Sequence, residues 1–157
     1  MARRLRPLIV ALRPVWLVLR YVWALPATMV GLTLLGIALC TGATARLVDG
    51  VVEVAGGHIA RVISSLPRSR RFVAITFGHV VFGIDHAILR RVRSHEYVHV
   101  RQYERWGILF FLIYFASSVI QLFRGRDPYL DNCFEREAYA CAPEALIRVA
   151  PDRKEHP

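Results

Sequence analysis

The sequence predicts an α+β protein with an N-terminal membrane helix, a small β-sheet and three further helices. Three observations predict this class: an uncharged apolar run over residues 21–45, β-rich segments punctuated by glycines over residues 46–84, and apolar residues at helical spacing over residues 85–106. The chain has 157 residues, enough for a single modest core. We therefore expect an anchor at residues 1–45, one metal-binding domain at residues 46–150 and a short tail at residues 151–157.

The N-terminal segment has the features of a membrane anchor. Residues 1–20 carry five arginines and no acidic residue, which is typical of a basic interfacial lead-in. A helix over residues 21–45 would rise about 37 Å, enough to cross a hydrocarbon core of about 30 Å. The run is too long for the apolar region of a signal peptide, so we expect it to be retained. Pro26, Gly31 and Gly36 leave open a re-entrant hairpin instead.

The next segment predicts the small sheet. Residues 46–65 are rich in valine and are punctuated by Asp49-Gly50 and Gly56-Gly57, which indicates strands joined by tight turns. After a basic loop at residues 67–71, residues 72–84 predict one longer strand. Gly78 within it indicates either a bulge or the close approach of another backbone, such as an added peptide strand.

Three helices are predicted to follow the sheet. The first covers residues 85–106, carries His95, Glu96 and His99 on its apolar face and stops at Gly107. Residues 108–123 are uncharged but would rise only about 24 Å, so this helix could span a thinned bilayer, insert by half or lie buried. The last helix begins near Asn132 and is interrupted by Pro143.

The segment His95-Glu96-Tyr97-Val98-His99 matches the pattern HExxH. On a helix, positions i and i+4 share a face, so both imidazoles can reach one zinc ion at about 2.0–2.1 Å. Zinc lowers the pKa of its bound water towards 7, and Glu96 would take that proton as general base. If His95, Glu96 and His99 had no metal-binding role, Glu96 would be an ionised carboxylate without a partner on a buried helix face, which is costly. The pattern therefore predicts metal-assisted hydrolysis, most often of a peptide bond.

This segment resembles the active-site helix of the zincin metallopeptidases. Its extended form HExxHxxQ, ending at Gln102, is similar to small, largely uncharacterised bacterial HExxH families, and membrane peptidases of the HtpX type resemble it more distantly. In gluzincin-like members a later glutamate, with alanine three residues on, completes the metal site, which implies Glu135 with Ala138 here. Tyr139 stands where those families often place aspartate. The resemblance implies a zinc (Zn²⁺) cofactor, peptide or protein substrates and a bacterial inner-membrane location.

The third metal ligand has alternatives. Glu135 lies three residues after Asn132, which also fits a helix capping box, and Glu137 is its main substitute. His79 and His86 are further competitors, His79 expected in a strand or cleft and His86 near a helix start. The three cysteines, Cys40, Cys133 and Cys141, have no metal-binding spacing, so we expect free thiols or packing residues.

The composition favours lipid as a partner over nucleic acid. Hydrophobic residues make up 55% of the chain and the formal net charge is +9. Such a charge suits anionic lipid or nucleic acid, but no nucleic-acid-binding motif accompanies the arginines. Two functions therefore follow: a membrane-anchored zinc metallopeptidase-like hydrolase, or a non-catalytic membrane scaffold derived from a zincin. Arginines on both sides of the apolar run leave the membrane side of the site open.

Overall fold

The computed structural model describes residues 2–65 and 73–143, with side chains from residue 14 onward. Within these ranges the predicted α+β class is confirmed, with five helices and a four-stranded mixed sheet. In chain order the elements are α1 Ala2–Cys40, β1 Ala43–Val48, β2 Val51–Gly56, α2 Gly57–Ser65, β3 Ala74–Phe77, β4 Val80–Gly83, α3 His86–Trp106, α4 Leu109–Phe123 and α5 Cys133–Cys141. The predicted basic loop at residues 67–71 and the tail at residues 151–157 lie outside the described residues.

The helix α1 is continuous over 39 residues, so Pro26 and the glycines do not divide it into a re-entrant hairpin. Its segment Pro14–Cys40 is long and apolar enough to cross a membrane, a property that anchors and signal sequences share. One face of α1 packs on the domain through the small residues Ala24, Ala27 and Ala38. At Gly31 an added Cβ would lie 2.8 Å from Cβ of Val80, so this glycine permits the close approach of α1 to β4.

The sheet has the strand order β1-β2-β4-β3. The strands β1 and β2 form an antiparallel hairpin, and Asp49 and Gly50 both adopt positive φ at its turn, as a two-residue hairpin requires. The strand β2 then pairs with β4 in parallel, and β4 pairs with β3 antiparallel. Among the described residues β3 is therefore an edge strand.

Two predictions about this region are wrong. The single strand expected over residues 72–84 is two short strands, because Gly78 at φ +58° allows a tight turn together with His79. A Cβ at Gly78 would lie 2.6 Å from the backbone nitrogen of Thr28, so this glycine serves the turn and the close approach of the α1 backbone; the close approach is confirmed, and the bulge is wrong. Residues 57–65, expected as a strand, form α2, because Ile59 and Ile63 at i, i+4 share a face that packs on the sheet.

The helices that follow begin and end as their sequence indicates. The carboxylate of Asp85 caps α3 by accepting from the Ile88 amide at 2.7 Å. Gly107 ends α3 at φ +57°, and α4 leaves it at an angle of 114°. A Cβ at Gly107 would meet Trp23, so the corner between α3 and α4 lies against α1. A buried cluster from α1, α3, α4 and α5 packs beneath this corner: Ala24, Ala27, Tyr103, Phe110 and Phe134.

Candidate metal centre

Three side chains from two helices meet in a buried group that could hold a metal ion: His95 and His99 of α3 and Glu135 of α5. The two histidines lie one helical turn apart, and their Nε2 atoms are 3.2 Å from each other. Glu135 approaches both, with Oε2 at 3.2 Å from His95 Nε2 and Oε1 at 3.3 Å from His99 Nε2. All three residues are at most 7% exposed, so the group lies away from bulk water.

The spacing and the chemistry of this group fit zinc. Donors about 2.1 Å from a tetrahedral ion lie about 3.4 Å from one another, close to the three separations observed here. Oε2 of Glu135 is buried and forms no hydrogen bond of good geometry, so one carboxylate oxygen is oriented into the group without a partner of its own. Two imidazoles and one carboxylate are also a donor set that catalytic zinc sites use while a fourth position stays open.

The alternative that Glu135 serves only as a helix cap is wrong. The side chain of Asn132 caps α5 by accepting from the Phe134 amide at 2.9 Å, and the Asn132 amide itself donates to the Tyr129 carbonyl. The Glu135 carboxylate therefore makes no reciprocal bond to the cap. It accepts instead from the Tyr114 hydroxyl at 2.8 Å, which orients it towards the histidines.

Gln102 fixes the orientation of the His99 ring. Its side-chain amide nitrogen donates to the Phe134 carbonyl at 3.1 Å and to the Glu137 carboxylate at 2.9 Å, which leaves its oxygen as an acceptor. That oxygen lies 2.8 Å from Nδ1 of His99, so Nδ1 donates and Nε2 faces Glu135 unprotonated in the neutral ring. Glu137, the substitute considered for the third ligand, lies outside the group; it accepts from Gln102, which bonds His99, and from Arg105.

His95 lacks such support. Its Nδ1 is buried and has no hydrogen-bond partner, while the ring packs against Tyr139 at a centroid distance of 4.4 Å. Tyr139 is the residue that stands in the position often held by aspartate in gluzincin-like families. The contact of the His95 ring on this side of the site is therefore aromatic.

The ionisation of the group follows from its burial and its charges. Burial alone lowers the pKa of His99, but the hydrogen bond and the negative charge of Glu135 outweigh burial and raise that pKa to about 9. Burial alone raises the pKa of Glu135, but its contacts with His95 and His99 lower it to about 2. Without metal, Glu135 is therefore ionised and paired with a protonated imidazole near neutral pH.

Glu96, the predicted general base, lies beside the group without belonging to it. Its side chain is buried, and Oε2 accepts a hydrogen bond from the Thr76 hydroxyl at 2.8 Å. Thr76 is on β3, twenty residues away in sequence, and its role was not predicted because nothing local connects it to the helix. This neutral donor holds one oxygen of the carboxylate in place without cancelling its charge.

An open cleft connects these residues. Its empty volume, which includes solvent at its open mouth, is about 640 Å³, and Glu96, His99 and Glu135 all line it. The remaining lining residues are largely apolar and come from β3, α3, α4 and the loop before α5: Ala74, Ile75, Thr76, Phe77, Tyr103, Phe110, Phe111, Tyr114 and Tyr129. A substrate in this cleft would lie between the edge strand and the His-His-Glu group.

The other candidate ligands lie elsewhere. His79 stacks on Tyr21 at 4.1 Å, with Nδ1 3.2 Å from the Thr28 hydroxyl and Nε2 3.4 Å from Glu104. It lies in the turn between β3 and β4 and is not among the residues that line the cleft, so the strand or cleft position expected for it is wrong. His86 is the first residue of α3, as expected, and its Nε2 lies 3.0 Å from the Thr44 hydroxyl. All three cysteines are free and exposed, and none belongs to the metal group.

Comparison of the chain with protein-family models, with functionally characterised proteins and with solved structures finds no match. What the chain shares with HExxH proteins is the motif and a buried His-His-Glu cluster consistent with a zinc site.

Proposed function

We propose that the protein is a membrane-anchored, zinc-dependent hydrolase of peptide bonds, with His95, His99 and Glu135 as zinc ligands and Glu96 as general base. One observation carries the proposal: the Glu96 carboxylate, held by Thr76, lines the same cleft as His99 and Glu135 of the possible metal site. When bound, zinc supplies a Lewis acid that acidifies water and polarises a carbonyl group. The protein must then supply a base, an oriented ligand set and a surface for the substrate.

The described residues offer each of these. Glu96 is held by Thr76 at the cleft and is positioned to take a proton from a water molecule there. Tyr114 and Gln102 hold Glu135 and His99 in the orientations that bring their donor atoms together. Both support residues act through neutral groups, so they fix geometry without adding charge to the site.

A peptide is the substrate class that the edge strand favours. Within the described residues β3 pairs only with β4, so its other edge presents unpaired backbone groups along the cleft. An extended peptide can hydrogen bond to such an edge as an added strand. The apolar cleft walls would then accept the side chains of the peptide.

The first experiment measures zinc in purified protein by inductively coupled plasma mass spectrometry. Glu135→Ala and the double substitution of His95 and His99 by alanine should each lose zinc, because too few ligands remain. Glu137→Gln is the matched control: it removes a carboxylate that lies outside the group but keeps a side-chain oxygen that can accept from Gln102, so zinc should be retained. Loss of zinc in Glu137→Gln with full retention in Glu135→Ala would reverse the ligand assignment.

The second experiment measures hydrolysis of fluorescein-labelled casein by the same proteins. Glu96→Gln should keep its zinc and lose turnover, because the amide cannot accept the proton. Turnover by Glu96→Gln equal to the wild type would exclude Glu96 as the base. One observation favours the scaffold alternative, the missing hydrogen-bond partner of His95 Nδ1; zinc-loaded wild type that cleaves no protein substrate would support that alternative.

A further inference from the structure

The helix α4 has its polar residues on the inside and its apolar residues on the outside. Every residue of α4 that is exposed is apolar, and Phe123 is 88% exposed. The outward face consists of Leu109, Phe111, Leu112, Phe115, Ala116, Ile120, Leu122 and Phe123. Soluble proteins rarely expose a continuous apolar surface of this size, and helices on their surfaces show the opposite arrangement.

The polar residues of α4 are used against α5. The hydroxyls of Ser117 and Ser118 bond Cys133 and Asn132, and the Tyr114 hydroxyl bonds Glu135. The inward face of α4 is thus occupied by contacts with α5, and only the outward face is available to a partner. At 15 residues α4 would rise about 22 Å, too short to cross a hydrocarbon core of about 30 Å.

The residues at the two ends of α4 match a lipid surface. Arg124 and Arg126 follow the helix directly and are exposed, while Arg105, which is paired with Glu137, and the partly exposed Trp106 precede it. Arginine and tryptophan beside an apolar face are typical of the headgroup level of an anionic membrane. The adjacent Asp127 uses its carboxylate to accept from backbone amides of its own turn. The exposed arginines that follow α4 therefore complement lipid phosphates.

The outward face of α4 continues into the cleft. Phe111 is 55% exposed on that face and also lines the cleft, as does Ile75 of β3, which is 39% exposed. The corner that begins α4 lies against Trp23, within the apolar segment of α1. One bilayer could therefore contact α1, α4 and the mouth of the cleft.

We propose that α4 inserts its outward face among lipid acyl chains and that the cleft opens onto that lipid surface. This inference extends the proposed membrane location but rests on neither zinc binding nor hydrolysis. A substrate would then reach the His-His-Glu group from the membrane, which favours an apolar peptide segment held at the bilayer. The two faces of α4 have separate roles, since one meets lipid while the other holds Tyr114 against Glu135.

The test is the accessibility of nitroxide labels in full-length protein reconstituted into vesicles of phosphatidylcholine and phosphatidylglycerol. Labels are attached to Phe115→Cys and to Ile75→Cys, each with the native cysteines replaced by serine. The native Cys141 on α5, which is exposed, is the matched control, with only the other two cysteines replaced. We expect the ratio of collisions with oxygen to collisions with a water-soluble nickel chelate to be severalfold higher at both engineered positions than at Cys141.

Three results would overturn the inference. A ratio at Phe115 equal to that at Cys141 would place α4 in water. Spin–spin broadening between labels at Phe115 would show that a second copy of the chain covers this face. A high ratio at Phe115 with a low one at Ile75 would show that the cleft opens to water. Leu112→Cys replaces Phe115→Cys if that variant does not fold, and zinc measured in the same samples tests the proposed function independently.

Discussion

Zinc binding by the His-His-Glu group should strengthen steeply with pH, because the metal must displace a proton from His99. Glu135 raises the pKa of His99 to about 9 despite the burial of the ring, and only the neutral imidazole binds zinc. Below that pKa zinc competes with the proton, so affinity rises as pH rises. Above it the imidazole is already neutral and this dependence ends.

The size of the effect follows from the pKa. Protonation multiplies the apparent Kd by one plus ten to the power of the pKa minus the pH. For the pKa of about 9, raising the pH from 7 to 8 lowers the Kd about ninefold; for the ordinary value of 6.5 the same step lowers it only about 1.3-fold. Measuring the Kd at pH 7 and at pH 8 therefore distinguishes the raised pKa of His99 from the ordinary value.

The assay is competition for zinc between the protein in detergent and a chromophoric chelator, with the protonation of the chelator calibrated at each pH. A parallel titration of Glu135→Gln removes the carboxylate that raises the pKa, so any zinc binding that remains should depend much less on pH. A wild-type Kd that changes less than twofold between pH 7 and 8 would refute the raised pKa of His99.

Three further changes have expected outcomes. Gln102→Ala should weaken zinc binding about ten- to hundredfold in the same titration, because His99 loses its orienting acceptor; unchanged affinity would contradict the role of Gln102. The protein should stay with the membrane through high salt and alkaline carbonate, since α1 would insert by apolar burial, whereas release by salt alone would exclude the anchor. Gly78→Ala should lower the midpoint of thermal unfolding by the equivalent of about 1–3 kcal/mol, because a Cβ there meets Thr28 at positive φ. Gly36→Ala is its control, since an added Cβ there meets nothing within 4 Å.

Local patterns predicted most of the helical framework. The period of residues 85–106, with Asp85 before it and Gly107 after it, predicts α3 almost to the residue, because caps and helical faces depend on neighbours a few positions apart. The same locality allows the i, i+4 pair of His95 and His99 to be predicted as a metal-binding unit. Glu135 came from a family resemblance, and the structure brings it to that pair.

Contacts between distant segments were not predictable from such patterns. Thr76 bonds Glu96 from another element, and Tyr114 bonds Glu135 across the angle between α4 and α5. Both depend on how the sheet and helices assemble, and a lone threonine or tyrosine carries no spacing signal. The turn at Gly78 was missed for a related reason: β-rich residues on both sides of a glycine are compatible with one bent strand or with two, and packing against α1 favours two.

Zinc K-edge X-ray absorption of the purified, zinc-loaded protein tests the proposed ligand set most directly. We expect a first shell of nitrogen and oxygen at about 2.0–2.2 Å, with the outer-shell scattering of two imidazoles and no sulfur. Glu135→Ala loaded with excess zinc should not reproduce that spectrum. A sulfur shell at about 2.3 Å, or a spectrum without imidazole scattering, would contradict zinc binding by His95, His99 and Glu135.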